Sequence, residues 1–354
     1  MVSWRNLFVS YAVMGVVALW GSMLVNGTLD AIDTAKASSE LPSGRILLTS
    51  ITGVPLIDGA LATLVAFFDG ITNGSVLQSH LLMVDLLAVI QCATIWLMVD
   101  GFSLQEFDPF VRSPASWGVG WNAIGMAVVL PVYCAFRVGT PYSRDSGLSI
   151  GDSYALFFSS AVSFVPGVLM GLPPLKSWST HQQQVIILLY QFTPVIFSVT
   201  QMALARFINQ FQYKLETNAS CRTNAIRVYI VAAVGASIGH LYVMVRAISL
   251  GLLGDVFVPR PASLGRFPAD RLTAGAHLFT QYDFIISALA ILTWIWSQMS
   301  TYGESFGSKP TLMIASVLST VVLGPGATLM FALWARDAYV TPLAIVEKKR
   351  SLKR

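Results

Sequence analysis

The sequence predicts an all-α fold: a polytopic transmembrane helix bundle of about nine spans, with eight to ten as the range. Of its 354 residues, 55% are hydrophobic and 11% are charged, whereas a soluble domain carries roughly 25% charged residues. Nine apolar segments are long enough to cross a bilayer. These segments hold three charged residues, although the chain has 22 Lys and Arg and 18 Asp and Glu. This composition excludes an ordinary soluble enzyme and a disordered chain.

The nine segments are spread over most of the chain. They are 7–26, 51–68, 76–99, 118–136, 154–172, 185–205, 228–245, 277–299 and 312–334. The first has no small-residue cleavage pattern after it, which favours a retained span over a removed signal peptide. The connections 27–50 and 247–276 are the longest, and connections of that length inside a bundle are usually functional or form a lid.

The basic residues predict how the chain lies in the membrane. The net charge of +4 is concentrated near the C-terminus, for example at Lys348, Lys349 and Arg350. We therefore expect one membrane domain over 1–354, with 335–354 as a basic cytoplasmic tail. Nine spans then place the N-terminus on the opposite side of the membrane. The same distribution argues against a nucleic-acid partner. Whether the sequons at Asn26, Asn73 and Asn218 are glycosylated is left open.

The sequence predicts neither a metal nor a cofactor. The three cysteines are an odd number, and two of them lie in apolar runs. A magnesium site that holds a diphosphate needs paired aspartate-rich motifs, and Asp30 with Asp33 in a loop is the nearest approach to one. No span contains a lysine, which excludes a retinal Schiff base.

Three acids inside apolar segments are the candidate catalytic residues: Asp58, Asp85 and Asp283. An acid at bilayer depth is expensive, so it usually faces the bundle interior. A protonated acid in a dry pocket suits either a general acid or a proton-coupled transporter. Helical spacing places Asp283 on one face with Ser287 and Trp294. The alternative is that Asp283 bridges to a neighbouring helix, such as the one that carries His240.

The other candidate side chains each have a structural alternative. Asp85 shares a helix face with Gln78, and an interhelical hydrogen bond explains it as well as chemistry does. His240 is a candidate proton relay, although a lone histidine in an apolar helix is more often a packing residue. Inward aromatic rings would bind the substrate and stabilise a cation; otherwise they belong to packing or to the interfacial belt. The candidates are Trp121, Tyr133, Tyr190 and Trp294.

Several short strings resemble one known family. They are Pro55-Leu56-Ile57-Asp58, Gln281-Tyr282-Asp283, Gly324-Pro325 and Trp334-Ala335-Arg336-Asp337. With the number and order of spans, they make the chain similar to the fungal membrane-bound meroterpenoid cyclases of ascochlorin and ascofuranone type. Asp58 and Asp283 match the family's pattern, and the resemblance extends over most of the chain.

The resemblance implies an isomerase-type terpene cyclase in the endoplasmic reticulum membrane. Such an enzyme protonates the terminal alkene or epoxide of a farnesylated aromatic precursor, and a cation cascade follows without metal or loss of diphosphate. On this hypothesis Asp283 is the general acid, while Asp58 or Asp85 orients it or takes the final proton. The partners are then a lipophilic prenylated aromatic substrate and the lipid bilayer. The alternative is a proton-coupled secondary transporter of a small hydrophobic metabolite. The exact substrate, the terminating base and the oligomeric state remain open.

Overall fold

The computed structural model describes residues 3–102, 104, 107, 109–138, 148–172, 178–211, 218–261, 270–302 and 308–340, and these residues form an all-α bundle. The all-α prediction is therefore confirmed for the described part of the chain. Most of the predicted tail, 341–354, lies outside the described residues. The helices are α1 (Trp4–Val25), α2 (Thr28–Ser38), α3 (Pro55–Thr72), α4 (Leu77–Phe102), α5 (Pro109–Arg112), α6 (Pro114–Ile124), α7 (Met126–Arg137), α8 (Ile150–Gly171), α9 (Thr180–Gln191), α10 (Thr193–Phe211), α11 (Asn218–Ser249), α12 (Leu253–Phe257), α13 (Arg271–Tyr302), α14 (Lys309–Leu323) and α15 (Pro325–Ala335).

Six of these helices are long and apolar enough to cross a membrane, and the count rises to seven if the pair α9 and α10, bent by 59°, is one span. The predicted number of about nine is not confirmed, because three predicted segments are each broken into two helices. The breaks lie at Gly125, Phe192 and Gly324. Helices α4 and α13 form the centre of the bundle, since 78% of the apolar window of each is buried.

The predicted span 118–136 folds as a helical hairpin, which we call the first hairpin (α6 and α7). The rings of Trp117 and Tyr133 lie 5.2 Å apart, and a Cβ on Gly120 would meet Val129 at 3.5 Å. Both contacts are roughly symmetrical about Gly125, so the chain turns back on itself there. Gly125 has φ +98° and ψ 141°, a conformation that is essentially restricted to glycine.

The predicted span 312–334 also folds as a hairpin, the second hairpin (α14 and α15). The hydroxyl of Thr328 donates to Ser319 Oγ across it at 2.9 Å. The turn is at Gly324, which has φ +90°. Pro325 then begins α15. A proline is tolerated at this position because the first N–H groups of a helix have no intrahelical acceptor.

Both hairpins return to the same end of the bundle. Arg137, the last residue of α7, forms a buried ion pair with Asp100 near the end of α4, with Nε to Oδ2 at 2.6 Å. The charge of Arg336, directly after α15, interacts with Arg137. Helix α13 ends there as well, because its Trp294 packs on Trp96 of α4 at 4.4 Å between ring centroids.

The first helix begins at this same end. Tyr11 bonds Thr293 at 3.2 Å, while the Trp20 ring packs on Phe279 at 6.0 Å. Helix α1 is therefore antiparallel to α13. The start of α1 and the end of α15 consequently lie at one end of the bundle, whereas nine spans would have placed them at opposite ends.

The two long connections pack onto the other end of the bundle. In the first, Arg45 reaches Asp69 near the end of α3, with Nη2 to Oδ1 at 3.3 Å. In the second, the Gln281 amide of α13 donates to three backbone carbonyls of the segment containing α12, at 2.9 to 3.2 Å. Both connections are tied to the bundle by buried polar contacts, and residues 262–269 of the second lie outside the described part of the chain.

Candidate active site

A cavity of about 270 Å³ lies between the tip of the first hairpin and the central helices. Helices α1, α2, α3, α4, α9 and α13 supply the rest of its wall. The lining residues are Trp20, Met23, Leu29, Ile32, Ala60, Thr63, Leu64, Phe67, Phe68, Met83, Leu86, Ile90, Trp121, Asn122, Ala123, Gly125, Met126, Tyr190, Phe279, Thr280 and Asp283. The wall is mostly apolar, and Asp283 is the one carboxylic acid among the described residues that form it.

The carboxyl group of Asp283 is held by the start of α7. Its Oδ1 accepts the backbone N–H of Ala127 at 2.5 Å, and the Met126 amide also donates to it. The first amides of a helix have no intrahelical acceptor, and the helix dipole gives them partial positive charge. The break at Gly125 therefore brings two backbone donors to Asp283 of α13. Asp283 is itself buried, at 5% exposure.

Asp283 has space beside it and no cationic partner among the described residues. Its position in the cavity wall agrees with the expectation that it faces the bundle interior. Gly125 lets the hairpin tip pack tightly on α1, because a Cβ there would lie 2.5 Å from a methyl carbon of Leu19, whereas its distance of 3.5 Å to Asp283 Oδ1 would be an ordinary contact. The alternative of a bridge to a neighbouring helix is met by α7, and no described hydrogen bond joins Asp283 to His240.

Aromatic rings form one wall of the cavity. Phe67 packs edge to face on Phe68 and on Phe279, each at 5.0 Å between centroids. Phe68 in turn contacts the ring of Tyr190 at 6.4 Å. Ring faces attract positive charge, so this wall suits a cation formed near Asp283.

The mouth of the cavity lies between α3 and the first hairpin. Most lining residues are buried or partly buried, but Ala60 of α3 and Ala123 of the hairpin tip are exposed. Apolar side chains surround this mouth, including Leu56, which is 86% exposed, and Ile124, which is 43% exposed. The cavity thus opens onto an apolar surface of the bundle.

The aromatic rings predicted to bind the substrate divide into two groups, and His240, which was predicted with them, does not line the cavity. Trp121 and Tyr190 line the cavity. Tyr133 and Trp294 lie elsewhere: both rings pack on Trp96, at 5.3 and 4.4 Å, and the Tyr133 hydroxyl donates to Asp100. Ser287, expected to share the acidic face of α13, is buried and does not line the cavity.

Asp58 stands outside the cavity and stabilises a turn. Its Oδ1 accepts the backbone N–H and the hydroxyl of Thr52 at 2.6 and 2.8 Å, and its Oδ2 accepts the N–H of Gly53 at 3.0 Å. These contacts fix the chain where it enters α3. The structure therefore does not bring Asp58 to Asp283, and the expected orienting contact between them is not formed.

Asp85 and His240 form a closed pair at the second hairpin. His240 Nδ1 lies 2.7 Å from Asp85 Oδ2, and its Nε2 lies 3.1 Å from the carbonyl oxygen of Val321. Asp85 is 1% exposed and His240 is 4% exposed. Of the two explanations left open for Asp85, the structure supports the interhelical hydrogen bond. Neither residue lines the cavity.

Sequence reasoning missed the ion pair of Asp100 and Arg137. Both residues are buried, at 1% and 4% exposure. Asp100 follows directly after the predicted segment 76–99, and Arg137 follows directly after 118–136, so both were left outside the spans. Opposite charges at the ends of two successive apolar runs were the available signal. The aromatic wall and the break at Gly125 were missed too, because an apolar run gives no sign of either.

The described residues contain no group of three or more His, Cys, Asp or Glu side chains arranged to hold a metal ion. The cavity combines one acid, three polar aromatic side chains and a mostly apolar wall, an arrangement typical of pockets that bind small molecules.

The fold and the cavity define a polytopic helical protein with a buried acid facing an aromatic pocket. The chain belongs to the CtvD domain family, which matches residues 4–341. No solved structure matches it.

Its relatives are fungal proteins named as terpene cyclases. Terpene cyclase DEP1 of Alternaria brassicicola is 26% identical over 94% of this chain and 98% of its own length. Terpene cyclase alnG of Emericella nidulans is 26% identical over 90% of both chains. Terpene cyclase ctvD of Aspergillus terreus is 22% identical over 93% of this chain and 97% of its own. The resemblance to fungal terpene cyclases is thereby confirmed.

Proposed function

We propose that this protein is an integral membrane terpene cyclase of the isomerase type. Its substrate would be a farnesylated aromatic whose terminal alkene or epoxide is protonated to start ring closure. The observation that carries the proposal is the carboxyl group of Asp283 in an apolar, aromatic-walled cavity. The names of the relatives support the class of reaction.

Asp283 would act as the general acid. It gives its proton to the terminal alkene carbon, or to the epoxide oxygen as the carbon–oxygen bond breaks. The next double bond attacks the resulting cation, and loss of one proton at the end balances the proton gained at the start, so the product is an isomer of the substrate. The carboxylate left behind would be stabilised by the Ala127 and Met126 amides, which already donate to it. The helix start thus favours proton transfer toward the substrate.

The remaining wall would protect the cation. Phe67, Phe279 and Tyr190 offer ring faces to positive charge. The apolar surround excludes water that would quench the intermediate. Asp58 and Asp85 contact other groups, so no proton transfer is assigned to them here. A lipophilic substrate would enter from the bilayer through the mouth between Ala60 and Ala123.

The experiment uses purified protein in detergent, where no proton gradient exists. Wild-type protein receives a farnesylated phenol or its terminal epoxide, and the products are separated by mass spectrometry. We expect an isomer of unchanged mass from wild type and none from Asp283→Asn, which keeps the volume but lacks the acidic proton. Asp58→Asn is the matched control and should retain activity.

Two results would contradict the proposal. If Asp283→Asn turned over substrate at the wild-type rate, Asp283 would not be the general acid. Failure of folded wild-type protein to convert either compound, together with gradient-driven uptake in vesicles, would favour a proton-coupled transporter.

We also propose the orientation of the bundle. The end at which both hairpins return carries Arg112, Arg137 and Arg336, and the basic tail with Lys348 to Arg350 follows it. Basic residues accumulate on the cytoplasmic side, so both chain termini would be cytoplasmic, in the endoplasmic reticulum membrane. Glycosylation tags placed at the two termini should remain unmodified, whereas a tag in the connection 27–50 should be glycosylated. Glycosylation of the terminal tags, with the tag in 27–50 unmodified, would show that the orientation is the reverse.

A further inference from the structure

Most polar side chains in the cavity wall satisfy their hydrogen bonds within the protein. Trp20 Nε1 donates to the backbone carbonyl of Ile124 at 3.0 Å. The side-chain amide of Asn122 donates to the backbone carbonyl of Gln191 at 3.1 Å. The hydroxyl groups of Thr63 and Thr280 donate to carbonyls of their own helices. These four side chains therefore need no ligand.

Two donors in the same wall have no partner among the described residues. They are the hydroxyl of Tyr190 and the indole N–H of Trp121, whose residues are 4% and 3% exposed. A buried donor left without an acceptor is costly, and most such groups in native proteins are paired. Both side chains line the cavity, so a molecule bound there could supply the acceptor if the donors turn slightly toward it.

The chemistry of these donors restricts what they bind. An indole N–H can only donate, and a tyrosine hydroxyl donates readily. A pure hydrocarbon chain offers no acceptor to either group. Tyr190 also lies within electrostatic range of the Asp283 carboxyl, so the acceptor would be held near the acid.

We propose that Tyr190 and Trp121 donate hydrogen bonds to an oxygen atom of the substrate and thereby select an oxygenated ligand over a hydrocarbon of the same shape. This inference rests on the proposed function and gives these two residues a role beyond that of ring faces. The oxygen comes either from the reacting end of the chain, as in an epoxide, or from the aromatic head group.

Equilibrium binding tests the inference without requiring turnover. All variants carry Asp283→Asn, which stops the proposed reaction. The probes are a farnesylated phenol, its terminal epoxide, and farnesylbenzene, which has no oxygen. Tyr190→Phe removes one hydroxyl from the cavity wall. Tyr11→Phe is the matched control, since it removes a hydroxyl that bonds Thr293 outside the cavity.

We expect Tyr190→Phe to weaken the binding of those probes that carry the oxygen atom it contacts. The expected loss is about tenfold for one hydrogen bond. A loss confined to the epoxide places the oxygen at the reacting end. An equal loss for the farnesylated phenol and its epoxide, with the binding of farnesylbenzene unchanged, places the oxygen at the aromatic head group. Trp121→Phe should show the same dependence on the probe, and it keeps the test available if Tyr190→Phe does not fold.

Unchanged affinity for all three probes would overturn the inference. An equal loss for all three, including farnesylbenzene, would also overturn it, because packing alone would then explain the effect. These outcomes are distinct from failure of the proposed function, which is measured by product formation with unmodified Asp283.

Discussion

The two hairpins use the same backbone break in opposite ways. At Gly125 the chain exposes the amides that begin α7, and they hold the acid Asp283 beside a cavity. At Gly324 the chain exposes the carbonyl of Val321, and it accepts His240, which is paired with Asp85. Asp283 lines the cavity, whereas neither Asp85 nor His240 does.

The difference shows which buried acid is available for chemistry. Asp85 is buried and paired with His240, and removing one partner of such a pair is strongly destabilising. Asp283 faces an open volume and meets only backbone donors among the described residues. A glycine break therefore does not mark an active site by itself; space beside the acid does.

The largest expected effect is that of a side chain at the first break. Gly125→Ala forces a residue into a conformation that only glycine adopts freely, so the hairpin tip must move away from Asp283. A displacement of about 1 Å at a reacting group can cost roughly a hundredfold in rate. We expect product formation per folded protein to fall by about that factor.

Gly324→Ala is the matched control for this variant. It introduces comparable backbone strain, of about 1–3 kcal/mol, at the second break. Stability should fall, whereas the activity of the folded fraction should stay near wild type. Equal loss of activity in both variants would show that the two breaks are not functionally different.

Removing one partner of the closed pair should act on stability. Asp85→Ala leaves His240 buried without its carboxylate, a change that costs about 3–5 kcal/mol for buried pairs. Thermal unfolding in detergent should show a clearly lower Tm. The double variant Asp85→Leu with His240→Leu should recover part of the loss, because neither polar group remains. A double variant less stable than Asp85→Ala would argue that the pair is not the source of the effect.

A smaller effect is expected at the mouth of the cavity. Ala60→Phe narrows the opening, so KM should rise several-fold while kcat changes less. Ile57→Phe, on the same helix outside the cavity wall, is the control and should leave both constants unchanged. If Ala60→Phe also leaves KM unchanged, the substrate enters by another route.

Sequence patterns predicted the helices and the key acid better than the topology. Asp283 was identifiable because a single charge in a long apolar run needs a reason. The hairpins were not, since Gly125 and Gly324 interrupt a helix without changing the hydropathy of the run. A nine-span count followed directly from that property.

Pairing between helices was the second limit. The sequence placed Asp85 and His240 in separate apolar segments and left open whether each acts in chemistry or in packing. Their contact at 2.7 Å depends on how α4 and α11 pack, which no local pattern encodes. Asp58 was assigned wrongly for a different reason, because its partners Thr52 and Gly53 are local and lie just before the helix.

The most direct test of the account compares the two buried acids in one assay. Wild type, Asp283→Asn and Asp85→Asn are purified, their folded fractions are measured, and each receives the farnesylated phenol and its epoxide. We predict that Asp85→Asn forms the cyclised isomer at near wild-type rates per folded molecule and that Asp283→Asn forms none. Loss of product in Asp85→Asn with full activity in Asp283→Asn would place the chemistry at the second break and contradict the account.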